Sequence, residues 1–224
     1  MTGREFAMVS KPQIVGRGDV LLVVDVQNDF CPGGRLAVPD GDAVVPVVNG
    51  LARAFDHAVL TQDWHPAGHS SFASAHAGRQ PFETVSMAYG PQTLWPDHCV
   101  QGTDGAELHP ALDIPNSQLL LRKGWHPAID SYSAFFENDR RTPTGLASYL
   151  RERGLGRVFV AGLALDYCVR YTAEDAHAAG FEVVVIEDAC RAIDLAGSLD
   201  EAHRAFAERG IARIGAGALT RGQG

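Results

Sequence analysis

The sequence contains no CxxC pair, no long apolar run and no excess of positive charge, and each absence removes a class of protein. Its four cysteines, Cys31, Cys99, Cys168 and Cys190, are scattered along the chain. Without a close pair they suggest neither a zinc ribbon nor a thioredoxin-type redox site, and free thiols fit a reducing compartment. Residues 1–18 hold no continuous apolar stretch of the kind a secretory signal needs, and the longest later run, residues 20–24, is far too short to span a bilayer. Lys and Arg number 19 against 27 Asp and Glu, and the net charge of -8 would repel a phosphate backbone. The expectation is a soluble, cytoplasmic protein with neither a nucleic acid nor a membrane as partner. The sequence also shows no internal repeat and no low-complexity tract.

What is present is ample material for one core: 224 residues, 46% of them apolar. Short β-branched or aliphatic runs recur at 20–26, 58–61, 118–121, 158–161, 183–186 and, more weakly, 211–214. Runs apolar on both faces are what a parallel sheet requires. Helical periodicity falls between them at 43–55, 144–153, 167–179 and 198–209, and Gly154, Gly180 and Gly210 stand where C-caps belong. The alternation predicts an α/β fold with a doubly wound, mostly parallel six-stranded sheet and helices on both faces. A single domain is expected over 19–214, with an extension at 1–18 and a tail at 215–224. Residues 64–117 break the rhythm. They are rich in His, Pro, Gly and Ser without sustained periodicity, and long irregular stretches inside compact domains are usually functional loops.

Ligands of open parallel sheets bind beyond the carboxyl ends of the strands. Asp25, Asp63, Lys123 and Cys168 all fall at such ends. Any one of them could be a cap or a solvated loop charge, but four on one edge point to chemistry. Cys168 follows the strand-to-helix turn 161–168, with Asp166 in the place of an N-cap and the thiol in the first helical turn, where the helix dipole favours a thiolate. A thiol of ordinary pKa ~8.5 is only a few per cent ionised at pH 7, so a base such as Asp25 and a cation such as Lys123 would help it. Backbone N–H groups of the same turn could hold an oxyanion, worth ~10²–10³ in rate per donor. A second cluster, Asp63 and His65 with His69 close behind and His98 in the long loop, has the donors of an open Zn²⁺, Fe²⁺ or Mn²⁺ site, although spacing alone is weak support.

Six blocks carry a resemblance. Residues 24–34 (VDVQNDFCPGG), 61–66 (TQDWHP), 95–103 (WPDHCVQGT), 122–124 (RKG), 130–135 (DSYSAF) and 162–169 (GLALDYCV) resemble, in order and in register, those of bacterial nicotinamidases, a family within the isochorismatase-like cysteine hydrolases. The match runs from about Asp19 to Ala192. It implies the isochorismatase-like hydrolase fold and an amidohydrolase that splits nicotinamide into nicotinate and ammonia, accepts pyrazinamide, and serves NAD biosynthesis by pyridine salvage. It implies a catalytic triad of Asp25, Lys123 and Cys168, and one divalent metal ion per chain, zinc first and iron or manganese as alternatives, held by Asp63, His65 and His98. His69 stays open as a further ligand. It also implies a cis peptide between Leu163 and Ala164 that brings the Ala164 and Cys168 N–H groups into one oxyanion hole, with Phe30, Trp95, Leu163 and Ala164 binding the substrate. The role of Tyr167 and the existence of a homo-oligomer are left open. So is the metal's task, which is to bind the pyridine nitrogen, to activate water, or both.

Two rival readings remain at this stage. A ureido- or carbamoyl-amide hydrolase of the same superfamily would keep Asp25, Lys123 and Cys168 but has no need of Asp63, His65 and His98. A non-catalytic binding protein would leave Cys168 structural and make the triad an accident.

Overall fold

The computed structural model describes residues 12–222, so most of the expected extension at 1–18 and the last two residues of the tail lie outside the described residues. The strands are β1 (Gln13–Val15), β2 (Asp19–Val24), β3 (His57–Asp63), β4 (Thr84–Met87), β5 (Gly90–Thr93), β6 (Ser117–Lys123), β7 (Arg157–Leu163), β8 (Glu182–Arg191), β9 (Ala212–Ile214) and β10 (Leu219–Arg221). The α-helices are α1 (Val44–Ala52), α2 (Leu146–Glu152), α3 (Arg170–Ala178) and α4 (Ser198–Arg209).

Six strands form the central sheet in the order β6-β3-β2-β7-β8-β9, and every pairing in it is parallel. The expected doubly wound α/β fold is therefore present. Alternate residues of each central strand enter opposite cores. Leu21 and Val23 of β2, Phe159 and Ala161 of β7 and Val184 and Ile186 of β8 join Val44, Val48 and Leu51 of α1 on one face. Val20, Leu22 and Val24, with Val158, Val160, Val183 and Val185, meet Leu146 and Leu150 of α2, Ala173 of α3 and Ala202 and Phe206 of α4 on the other. Burial on both faces is why these strands read as unbroken apolar runs. Helices α3 and α4 end before Gly180 and Gly210, and the turn after α2 carries Gly154, all three at positive φ.

The ends of the chain and the long loop hold structure that the pattern does not announce. β1 pairs in parallel with β10, so the described parts of the expected extension and tail form a small second sheet with each other. Within residues 64–117, β4 and β5 make an antiparallel hairpin. Among the described residues no helix is long and apolar enough to cross a membrane.

The strand order reverses between the neighbours β2 and β7, and a crevice at such a point is where an open sheet of this kind holds its ligand. Close approach there depends on Gly162, whose φ is +118 and where a Cβ would lie 2.1 Å from the Val24 carbonyl oxygen.

Candidate active site

Four side chains from four strand ends converge above that crevice. Asp63 and Lys123 are register partners on β3 and β6, so they leave the sheet side by side. The Lys123 ammonium lies 2.5 Å from Asp63 Oδ1 and 2.7 Å from Asp25 Oδ2, donates to the Ser131 carbonyl at 2.9 Å and stands 3.4 Å from Cys168 Sγ. Asp25 follows β2 in the left-handed region, with φ 47, an unusual conformation that recurs at functional positions. Thr61 locks it there by accepting its amide at 3.1 Å and donating its hydroxyl to Oδ1 at 2.5 Å. Gln27 does the same for Asp63, receiving its amide at 2.8 Å and donating to its carbonyl at 2.9 Å. Beyond β7 comes the cis peptide Leu163–Ala164, then a π-turn over Leu165–Val169 that carries Cys168. π-turns are rare and frequent at functional sites.

All four groups are buried, and burial decides their acidities. It pushes the Cys168 thiol well above its ordinary range; Lys123 pulls it down again, and the carboxylates of Asp25 and Asp63 push it further up. The first-turn preference for a thiolate is thus outweighed, and the thiol keeps its proton until a base takes it. Burial likewise raises Asp25 above the usual carboxylate range, against the opposing charge of Lys123, which makes it the more basic carboxylate of the pair. Burial would raise Asp63 too, but Lys123 and the neighbouring imidazoles hold it well below that range. Lys123 is kept well above its usual value because Asp25 and Asp63 outweigh its desolvation, so it remains an ammonium.

Among the described residues, three groups of side chains bring metal-ligating atoms close together: Asp63, His65 and His98; His65, His69 and Asp130; Asp25, Asp63 and Cys168. The last already surrounds the Lys123 ammonium. In the second, both His69 nitrogens are engaged, Nδ1 with Ser71 Oγ at 2.7 Å and Nε2 with the His126 carbonyl at 2.8 Å. His69 Nε2 thus donates to a carbonyl, and its Nδ1 lone pair already accepts from the Ser71 hydroxyl and the Ser71 amide, so His69 stands beside the first group and outside it. The first group fits an ion. His65 Nδ1 donates to the Gly124 carbonyl and His98 Nδ1 to the Pro96 carbonyl, each at 2.8 Å, so both Nε2 atoms are unprotonated in the neutral rings. These Nε2 atoms lie 3.5 and 3.8 Å from Asp63 Oδ2. Ligand atoms around one tetrahedral ion with bonds of ~2.0–2.1 Å stand roughly 3.3 Å apart. The loop delivers His98 by running beside His65: the His65 amide donates to the Cys99 carbonyl at 3.0 Å and the Gln101 amide to the His65 carbonyl at 2.9 Å. Asp29 secures the same stretch by accepting the Cys99 amide at 2.7 Å.

Cys168, Ala164 and the Asp63, His65 and His98 cluster open into one pocket of about 320 Å³ including its mouth, walled by Phe30, Leu36, Trp95, Tyr132, Tyr167 and Ile193, with Asp130 beside the histidines. Of the expected substrate-binding residues, Phe30, Trp95 and Ala164 line it. Leu163 does not: its side chain is fully buried in the core, packed toward Gly41, and it borders the site only through its peptide to Ala164. Asp166 is not the expected N-cap of its own helix; its carboxylate turns instead to residues 193–198. Leu36, Asp130, Tyr132 and Ile193 reach the pocket although no pattern assigned them a role. The DSYSAF block that carries Asp130 and Tyr132 was visible, but only packing shows which of its residues face the ligand.

A doubly wound sheet whose reversal carries a buried Asp, Lys and Cys beside one pocket has the groups that nucleophilic catalysis by a thiol requires. The isochorismatase domain model matches residues 19–216, and the chain belongs to that family. It is 58% identical over 194 residues, 87% of this chain and 91% of the other, to the nicotinamidase of Acinetobacter baylyi. Among solved structures, a nicotinamidase and pyrazinamidase from Acinetobacter baumanii superposes with a TM-score of 0.89 at 55% identity, over 90% of this chain and 98% of that one. The pyrazinamidase of Pyrococcus horikoshii, solved in complex with zinc, superposes at 0.72 with 37% identity over 88% and 99%.

Proposed function

We propose that this chain is a nicotinamidase, hydrolysing nicotinamide to nicotinate and ammonia through a thioester on Cys168, and that it also accepts pyrazinamide. The observation that carries the reading is the single narrow pocket in which a cysteine, flanked by a buried base and a fixed cation, faces a three-donor metal cluster across aromatic walls. The names of the relatives at 58% and 55% identity support the same substrate class.

In this reading Asp25 takes the proton of Cys168 as the sulfur attacks the amide carbon, and Lys123 stabilises the charges on either side of the transfer. The carbonyl oxygen becomes an oxyanion received by the backbone N–H groups of Ala164 and Cys168. As the C–N bond breaks, Asp25 returns the proton to the departing ammonia. Water then hydrolyses the thioester, with Asp25 again accepting a proton, and nicotinate leaves with the thiol restored. A divalent ion held by Asp63, His65 and His98, zinc by this reading, supplies a Lewis-acid position in the pocket beside the reacting cysteine; the zinc complex of the Pyrococcus horikoshii relative supports that choice. A ureido- or carbamoyl-amide hydrolase would leave the two oriented histidines without a task. A cytoplasmic place in pyridine salvage toward NAD belongs to the same proposal and is supported by four free cysteines, all buried.

The test is ammonia release from nicotinamide, with and without a chelator. Release that falls on chelation and returns with zinc supports the reading. An enzyme indifferent to nicotinamide but active on carbamoyl amides overturns it.

A further inference from the structure

The fully buried carboxylate of Asp166 lies two residues before Cys168, yet it touches none of the reacting groups. It accepts the Ile193 amide at 3.0 Å on Oδ1, and the Asp194 amide at 2.7 Å and the Ser198 hydroxyl at 2.5 Å on Oδ2. All three donors belong to the stretch that leaves β8 and enters α4. In that stretch Asp194, Ala196 and Gly197 all stand at positive φ, and its own backbone closes one turn, from the Ser198 amide to the Leu195 carbonyl at 3.1 Å. Its Ile193 side chain nevertheless forms a wall of the pocket. Ser198 also stands against the Tyr167 phenol, and Tyr167 forms a second wall.

We propose that Asp166 is a positioning residue, whose carboxylate ties the Ile193 wall of the pocket to the turn that carries the cysteine. The tie sets the distance between what grips the ring and what attacks the amide. This inference rests on the reading of the pocket as an amidase site. A carboxylate suits the task because both oxygens accept and three donors converge on them; an amide would turn an NH₂ group toward one of those donors. Asp166→Asn therefore keeps the size and loses the tie. The nucleophile's own turn retains its backbone bonds, Tyr167 and Val169 both donating to the Ala164 carbonyl at 3.1 Å. The loss should thus fall on substrate grip more than on bond breaking.

The experiment is a double-mutant cycle on the full chain loaded with zinc, reading KM and kcat for nicotinamide in wild type, Asp166→Asn, Ile193→Ala and the double variant. Asp166→Asn is expected to raise KM about tenfold with kcat changed less than about threefold, and its effect should shrink to about threefold or less once Ile193 is alanine. KM effects that multiply independently overturn the proposal, as does a folded Asp166→Asn with wild-type KM or with its loss confined to kcat. If Asp166→Asn does not fold, Ser198→Ala, which removes one donor and leaves the carboxylate, runs the same cycle with a smaller expected coupling, and independence there overturns the proposal equally. Wild-type protein that releases no ammonia overturns instead the amidase reading, and the inference with it.

Discussion

Replacing Gly124 with alanine would place a methyl group against the ring of His65. Gly124 follows β6 with φ +66, and a Cβ built on it would lie 2.5 Å from His65 Cε1 and 2.8 Å from Nδ1. Neither neighbour yields freely, because His65 is buried and its Nδ1 donates to the carbonyl of Gly124 itself at 2.8 Å. Three effects add. A non-glycine residue in the left-handed region costs about 1–2 kcal/mol, the displaced hydrogen bond about 1 kcal/mol, and moving the group that orients a ligating histidine typically costs about 10–100-fold in metal affinity or activity. The expected result for Gly124→Ala is a protein less stable by about 2–3 kcal/mol, which binds zinc about 10–100-fold more weakly in a competition titration with a chromophoric chelator. Thermal unfolding of the metal-free protein isolates the stability part. Zinc affinity within twofold of wild type would refute the claim that the Gly124 carbonyl and the missing Cβ fix His65 for the metal.

Among the histidines, His98→Ala should lose metal and activity together, whereas His69→Ala should keep its metal, because His69 spends both nitrogens on Ser71 and His126; metal analysis of the purified variants checks both. Benzamide matches nicotinamide in shape but lacks the ring nitrogen. If the metal position anchors that nitrogen, kcat/KM for benzamide should fall at least about a hundredfold below those for nicotinamide and pyrazinamide, and comparable efficiency would refute anchoring while sparing the cysteine chemistry. Far from the site, Glu187 is held at about 2, since bonds from His203 and Arg213 outweigh its desolvation. A depressed carboxylate contributes stability that is present above its unfolded value near 4.5 and is lost as pH falls through about 2. Glu187→Gln should therefore remove on the order of 2 kcal/mol at neutral pH and flatten the loss of stability across that acid window, read by denaturant unfolding at several pH values.

The inner strands β2, β3, β7 and β8 were legible because burial on both faces leaves an apolar run, the edge strands β6 and β9 showed as shorter aliphatic runs, and the strand-end positions of Asp25, Asp63, Lys123 and Cys168 followed from the same rhythm. The hairpin of β4 and β5 was not legible, since its residues are mostly half-exposed and Gly90 and Pro91 break any alternation. The β1 and β10 pair escaped because each strand is three residues long and its partner lies at the other end of the chain. His98 was a candidate by residue type, and the resemblance of its block singled it out as a ligand where spacing could not, because only the packing of its loop along His65 brings it to Asp63. The sequence showed the turn that favours a thiolate at Cys168 but not the burial and the two carboxylates from other strands that push the thiol up. Asp166 looked like a cap by sequence position, and its true donors lie 27 to 32 residues away.

The most direct test of the central claim is nicotinamide turnover by Cys168→Ala. No metal-cluster side chain is altered, and the substitution shortens one buried side chain by a single sulfur atom, so folding and about one zinc per chain should survive. The expected result is ammonia release indistinguishable from the uncatalysed background, beside a wild type that turns over. A variant that folds, carries its zinc and still hydrolyses nicotinamide at a rate comparable to wild type would contradict the assignment of Cys168 as the nucleophile.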